Sequence, residues 1–242
     1  MTIAFHYVTE RLQLLNRVIK SVSSIPTDKT KIIVNSNKMF DVFGAVVHET
    51  YNLKDPYHLT WQHKKYIEEF LNSDFTHFIY LEDDMEINAK NLEYWNKTNS
   101  LFKRNNLNFI PAFHRYEYKD NKKYSLDSTH KPGKCQQIQV EGKTFLSLPQ
   151  PYQGMFVMDR EMAQEHLTSQ HFNVGEYHNY GIRESANLGN MYTNVPEGWS
   201  HRALVPLEDF KDCLVWHNSN NYSQNLNSPH AKILIDELLD GN

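Results

Sequence analysis

The chain has 242 residues, 40% apolar and 22% charged, enough to bury a core without disulfide or metal staples. Its 25 basic and 29 acidic residues leave a formal charge of −4, which excludes a global basic field for nucleic acid. Two cysteines, Cys135 and Cys213, are too few for a Cys-only zinc site or a disulfide framework and point to free thiols in a reducing compartment.

In chain order, residues 3–8 read as a short strand and Thr9 as the cap of the helix that follows. Leu12, Leu15, Val18, Ile19 and Val22 recur at helical spacing, with Pro26 just past the end. Residues 31–35 (KIIVN) and 45–48 (AVVH) are compact apolar runs suited to buried strands. A helix over 59–71 follows, then a clear strand at 75–81 (FTHFIYL). Residues 91–105 read as a helix, and 108–113 (NFIPAF) as a strand broken by Pro111. The stretch 116–134 is polar, with a turn at Pro132-Gly133. Residues 138–140 and 144–148 flank Glu141-Gly142-Lys143 as a hairpin. A strand at 154–158, a helix at 159–167 begun by an acidic cap, and a helix at 185–191 come next. Ser228-Pro229 is expected to open the last helix, with Ile233, Leu234 and Leu238 inward. Alternating strands and helices in the first half predict an α/β domain with a mainly parallel central sheet flanked by helices. No linker long enough to separate independent domains is visible.

Only nine glycines occur, and neither G-x-G-x-x-G nor G-x-x-x-x-G-K-[ST] is present. Phosphate chemistry, if any, needs something other than a glycine cradle. Glu82-Asp83-Asp84, directly after HFIYL, supplies an alternative. The carboxyl end of a parallel strand is where α/β proteins bind ligands. Clustered carboxylates repel unless solvent or a cation screens them. Mg²⁺ and Mn²⁺ typically take one or two carboxylates together with substrate phosphates. The plain alternative is a solvated acidic turn.

The segment FIYLEDDMEI resembles the DxD-type motif of GT-A fold glycosyltransferases, in its EDD form. The resemblance extends in order to IAFHYVTERLQLLNRVIKSV, KIIVNSN, PYQGMFVMDREM, GIRESANLG and VWHNSNNY. It implies a single Rossmann-like GT-A domain over residues 1–242. Residues 1–113 would form the nucleotide-sugar half and 114–242 a smaller acceptor-side, catalytic half. It also implies that Asp84 and the late His217 hold Mn²⁺ or Mg²⁺, that Glu82 lies near the ribose or a metal-bound water, and that Asp83 is more structural. Thr9, Arg11 and Asn35 would surround base, ribose and phosphate, and Lys64 or Lys65 would offset diphosphate charge. His6 would line the nucleotide pocket or be structural. Tyr152, Gly154 and Trp199 are the acceptor-site candidates, with Trp199 otherwise ordinary core. Inverting transfer needs a carboxylate base; the family's acidic motif maps best onto Gly181-Ile-Arg-Glu-Ser185, which makes Glu184 the candidate and Glu176 the reserve. Ser185 stands where the family often has Asp, which leaves base and stereochemistry open.

The expected activity is transfer of a sugar from a nucleotide-diphosphate donor, a UDP-sugar first, to a glycan or glycolipid hydroxyl. Such a chain suits bacterial surface-polysaccharide synthesis. Two other classes share some of these features: a metal-dependent nucleotidyltransferase or phosphohydrolase, and a non-catalytic carbohydrate-binding protein. No apolar run reaches about 18 residues, so no membrane span is expected, and residues 1–10 lack a secretory pattern. The expected location is cytoplasmic, with peripheral association at the inner membrane face left open and no nucleic-acid partner.

Overall fold

The structure is a computed structural model that describes residues 1–42, 44, 47–128 and 135–239. In chain order the elements are β1 (Thr2–Phe5), α1 (Leu12–Ser23), β2 (Ile33–Ser36), β3 (Val47–Thr50), α2 (His63–Phe70), β4 (His77–Glu82), β5 (Met85–Glu86) and α3 (Ala89–Arg104). There follow β6 (Ile110–Pro111), β7 (His114–Lys119), β8 (Lys122–Ser125), β9 (Gln136–Val140), β10 (Lys143–Ser147), β11 (Met155–Asp159) and α4 (Arg160–Leu167). The chain ends with α5 (Ile182–Leu188), β12 (Ala203–Pro206), β13 (Leu214–His217) and α6 (Ile235–Leu239). The described residues form two compact units, Met1–Met85 with Gly154–Thr193, and Glu86–Gln153 with Asn194–Asn242. The sequence reading placed the change between halves near residue 113; the units change over at 85/86, 153/154 and 193/194.

The first unit is α/β. Its sheet runs β11-β4-β1-β2-β3. β1 pairs parallel with β2 and β4, and β2 with β3, while β11 is antiparallel to β4. All four residues of β1 and of β2 are buried, the mark of strands covered on both faces. Helix α1 buries Leu15, Val18, Ile19 and Val22 of the stripe read from the sequence, while Leu12, its first residue, is half-buried. Thr9 does not cap it: Thr9 opens a 3-10 turn, Thr9–Arg11, and neither that turn nor α1 has a side-chain cap bond. The expected helix over 59–71 is divided, because Pro56 begins a 3-10 segment, Pro56–Gln62, capped by Asp55, and α2 starts only at His63. Asp159 caps α4 as expected, accepting from the Met162 N–H at 2.9 Å. Of the expected strand over 45–48, residues 45 and 46 lie outside the described residues.

The second unit carries two four-stranded sheets, β6-β12-β10-β9 and β5-β13-β7-β8. Both mix parallel and antiparallel pairs. β9 and β10 form the expected hairpin, and Glu141 and Gly142 at its tip both have positive φ, as a two-residue primed turn demands. The polar stretch from 116 is a second hairpin, β7–β8, that the sequence reading missed. Asp120 and Asn121 turn it at φ 50 and 57, a conformation these two residue types tolerate. The turn expected at 132–133 lies outside the described residues. Helix α3 is held by a capping box between Asn88 and Asn91. Its Leu101 and Phe102 pack with Phe109, Val140, Phe145 and Leu204. The last helix starts at Ile235 rather than after Ser228, whose hydroxyl instead accepts the His230 N–H in a local turn. Among the described residues, no helix is long and apolar enough to cross a membrane.

Candidate functional site

In the first unit the strand order reverses beside β1: the connection through α1 leads to β2 on one side, and β4 lies on the other. Ligands of open α/β sheets bind outside the carboxyl ends of strands at such a point. Glu82 is the last residue of β4, in register with Ala4 of β1, and Asp83 and Asp84 follow at once. Both aspartates are buried, at 7% and 4% exposure.

Arg11, in the turn after β1, explains how this charge is tolerated. Its Nε donates to Asp83 Oδ2 and its Nη2 to Asp83 Oδ1, each at 2.7 Å. Nη2 also donates to Asp84 Oδ2 at 2.8 Å. This planar fork is a geometry lysine cannot supply. Burial holds the Asp83 carboxyl above its ordinary value; the Arg11 hydrogen bonds pull against this and the charge of Asp84 adds to it. The Arg11 guanidinium is correspondingly raised, chiefly by its hydrogen bond to Asp83.

Gly154 leads into β11 and sits against the triplet. Its carbonyl accepts the Glu82 N–H at 2.9 Å. At φ +63, a Cβ there would lie 3.4 Å from Met85 Cγ and 3.5 Å from Glu82 Cδ. Glycine is therefore suited to both the backbone conformation and the close approach.

The other expected residues of this unit are placed as follows. Asn35 is buried in β2, and its Oδ1 accepts from the Tyr66 hydroxyl at 3.1 Å. Thr9 and His6 are exposed, and His6 Nε2 lies 3.3 Å from Asn37 Nδ2. The Lys64 ammonium lies over the Phe172 ring at 4.3 Å, and burial lowers its pKa. Lys65 pairs with Glu49 at 3.7 Å. Glu184 is half-buried in the first turn of α5, where Oε1 accepts from Arg183 Nη2 at 2.7 Å. Its Oε2 would be 3.0 Å from a Cβ on Gly181, so the missing side chain makes room for the carboxylate. Ser185 accepts the Tyr177 N–H and donates to the Tyr180 carbonyl, tying the preceding loop to the helix. Trp61 Nε1 donates to the Ile182 carbonyl and anchors the start of α5. Glu176 is exposed.

In the second unit, His217 ends β13 and is buried beside Glu117 of β7. Nδ1 of His217 lies 2.6 Å from Glu117 Oε1. Glu117 is fully buried and also accepts the Tyr222 and Ser223 N–H groups. Burial would raise its pKa, but the His217 hydrogen bond and the Ser223 N–H outweigh that and hold the carboxyl below its ordinary value. A carboxylate only accepts, so His217 donates through Nδ1 and directs Nε2 away from it. That is the orientation a carboxylate gives a metal-ligating histidine. The sequence reading missed Glu117; an acidic residue between tyrosines in a strand was the available signal. Tyr152 stacks under Arg115, whose guanidinium carbon is 4.9 Å from the ring centre, and Arg115 pairs with Asp127. Trp199 packs edge-to-face on Phe109 at 4.7 Å, against the apolar cluster of this unit.

A hard divalent cation suits the chemistry of the triplet in part. Asp83 has both oxygens on Arg11, whereas the bond to Asp84 involves Oδ2 alone. Carboxylates are the ligand class such an ion takes, one or two of them together with phosphate and water. Among the described residues, no group of three or more His, Cys, Asp and Glu side chains forms a self-sufficient metal cage. Compared with known proteins, the chain matches no family model and no curated protein sequence.

Proposed function

We propose that the chain is a GT-A type glycosyltransferase that moves a sugar from a nucleotide-diphosphate donor, a UDP-sugar first, to a glycan or glycolipid hydroxyl. The observation that carries this reading is the placement of Glu82-Asp83-Asp84 at the carboxyl end of β4, beside the strand-order reversal, with Arg11 fixing the two aspartates. The order β3-β2-β1-β4 supports it, since a sheet of this order presents a nucleotide crevice at that point. Glycine-poor composition supports it too, because charge on the diphosphate would be met by carboxylate-held metal rather than by backbone amides.

Mn²⁺ or Mg²⁺, when bound, would neutralise the diphosphate leaving group. Asp84 would hold the ion. Arg11 keeps Asp83 locked and fixes the Asp84 rotamer, so the site needs little reorganisation on binding. His217 belongs to the second unit, where Glu117 sets its tautomer. Glu184 is the proposed base for the acceptor hydroxyl in an inverting transfer. To act, it must exchange its bond to Arg183 for one to the acceptor. The work would take place in the cytoplasm, at or near a membrane face.

A thermal-shift series with UDP, GDP and CDP, each with and without Mn²⁺, tests the donor side. The expected result is stabilisation by one nucleotide only when Mn²⁺ is present, lost in Asp84→Ala. Stabilisation that ignores the metal, or none with any nucleotide, contradicts the proposal.

A further inference from the structure

Between α4 and the 3-10 turn that follows α5, the first unit builds a second arrangement that the proposed transfer does not use. His171 and His178 face each other, with Nε2 to Nε2 at 3.1 Å. Two neutral imidazoles on one tetrahedral transition-metal ion, each about 2.0–2.1 Å from it, stand at nearly this separation.

Several features of the chain converge on this placement. His178 lies flat on Tyr192, ring centres 3.7 Å apart and planes at 15°. The Tyr192 hydroxyl is hydrogen-bonded to Tyr180, which fixes the platform. His178 and Asn179 both adopt left-handed backbone, at φ 54 and 65, a region that histidine and asparagine enter more readily than most residues. His171 is buried, with Nδ1 3.5 Å from the Thr193 hydroxyl. Gly189 is required for that position: a Cβ there would lie 2.9 Å from His171 Cβ, 3.0 Å from its carbonyl oxygen and 2.8 Å from His166 Cε1. A stacked platform and a glycine notch are more than a surface hydrogen bond needs.

We propose that His171 and His178 form a two-histidine site for a borderline transition-metal ion of the Zn²⁺, Ni²⁺ or Cu²⁺ class, with water in the remaining positions. Imidazole nitrogen favours these ions over Mg²⁺, which separates this site from the carboxylates of the triplet by chemistry. The two ligands bracket residues 172–177, so the bound ion closes that loop and stiffens the run leading into α5.

The test uses the full chain, with Zn²⁺ followed by titration calorimetry and Cu²⁺ by electron paramagnetic resonance. His178→Phe retains an aromatic ring for Tyr192 while removing the nitrogen. The expected result is one Zn²⁺ per chain in the micromolar range, weakened at least tenfold in His178→Phe and in His171→Gln, and unchanged in Asp84→Ala. The Cu²⁺ spectrum should show coupling to two nitrogens in the wild type and lose it in His178→Phe, while circular dichroism stays native. Equal Zn²⁺ affinity in wild type and His178→Phe, or no binding by the wild type, overturns the proposal. Loss of Zn²⁺ binding in Asp84→Ala alone would overturn it as well, since the ion would then sit at the triplet.

Discussion

Arg11 is the residue on which the acidic triplet depends. Three of its hydrogen bonds go to Asp83 and Asp84, and its own side chain is only 29% exposed. Removing it leaves two buried carboxylates facing each other, the situation in which breaking an ion pair costs most. Arg11→Ala should lower stability by about 2–4 kcal/mol, read as a shift in the urea midpoint at unchanged slope. Arg11→Lys keeps the charge but loses the fork, and should fall between the two. Superimposable unfolding curves for all three proteins would contradict this role. The sequence placed Arg11 after the first strand and assigned it to phosphate or base; it could not show the bonds to residues 72 and 73 positions away.

Elements differ in how much of their environment can be read locally. The α1 stripe and the β4 run were legible because burial follows directly from the apolar spacing of each segment. The β7–β8 hairpin was not, since its residues are polar and its turn uses Asp-Asn in place of a glycine. The Glu117–His217 pair was beyond reach, because the partners are 100 residues apart and meet only through parallel pairing of β13 with β7. His63, the first residue of α2, shows the same limit. It is buried against the rings of Tyr80 and Phe156, its Nδ1 donating to the Thr60 carbonyl at 2.7 Å. Burial lowers its pKa from 6.5 to about 4, against the pull of that bond. The unfolded chain therefore binds the extra proton first as pH falls. Stability is complete above about pH 6.5 and declines as pH drops toward 4, by about 1.4 kcal/mol per unit for this one group. In His63→Phe that contribution disappears, apart from a pH-independent offset for the lost Thr60 bond. Stability curves for wild type and His63→Phe should converge between pH 7 and about 4.5; parallel curves would contradict the assignment.

At the scale of the whole molecule, the chain enters its first unit, leaves it at Met85 and returns at Gly154. A division at residue 113 was natural from sequence, because strand–helix alternation fades there. It leaves out β11, which pairs with β4 over five residues, from Met155 opposite Leu81 to Asp159 opposite His77. Residues 1–113 expressed alone should accordingly show no cooperative unfolding. By contrast, residues 1–85 joined to 154–193 by a short Gly-Ser linker should unfold cooperatively, since Met85 Cγ lies 3.4 Å from the Cβ position of Gly154. The reverse outcome, a stable 1–113 fragment and an unfolded fusion, would contradict the two-unit description. The acidity seen first as a net charge of −4 has a position in this scheme, at the end of β4.

The central claim concerns what that position does. The direct measurement is to incubate the full chain with Mn²⁺, UDP-sugars and a mixture of glycan and glycolipid acceptors, and to identify the products by mass spectrometry beside Asp84→Ala. The account predicts release of nucleoside diphosphate coupled to a glycosylated acceptor, dependent on Mn²⁺ and reduced at least a hundredfold in Asp84→Ala. Release of pyrophosphate or inorganic phosphate without sugar transfer, or turnover untouched by Asp84→Ala, would contradict it.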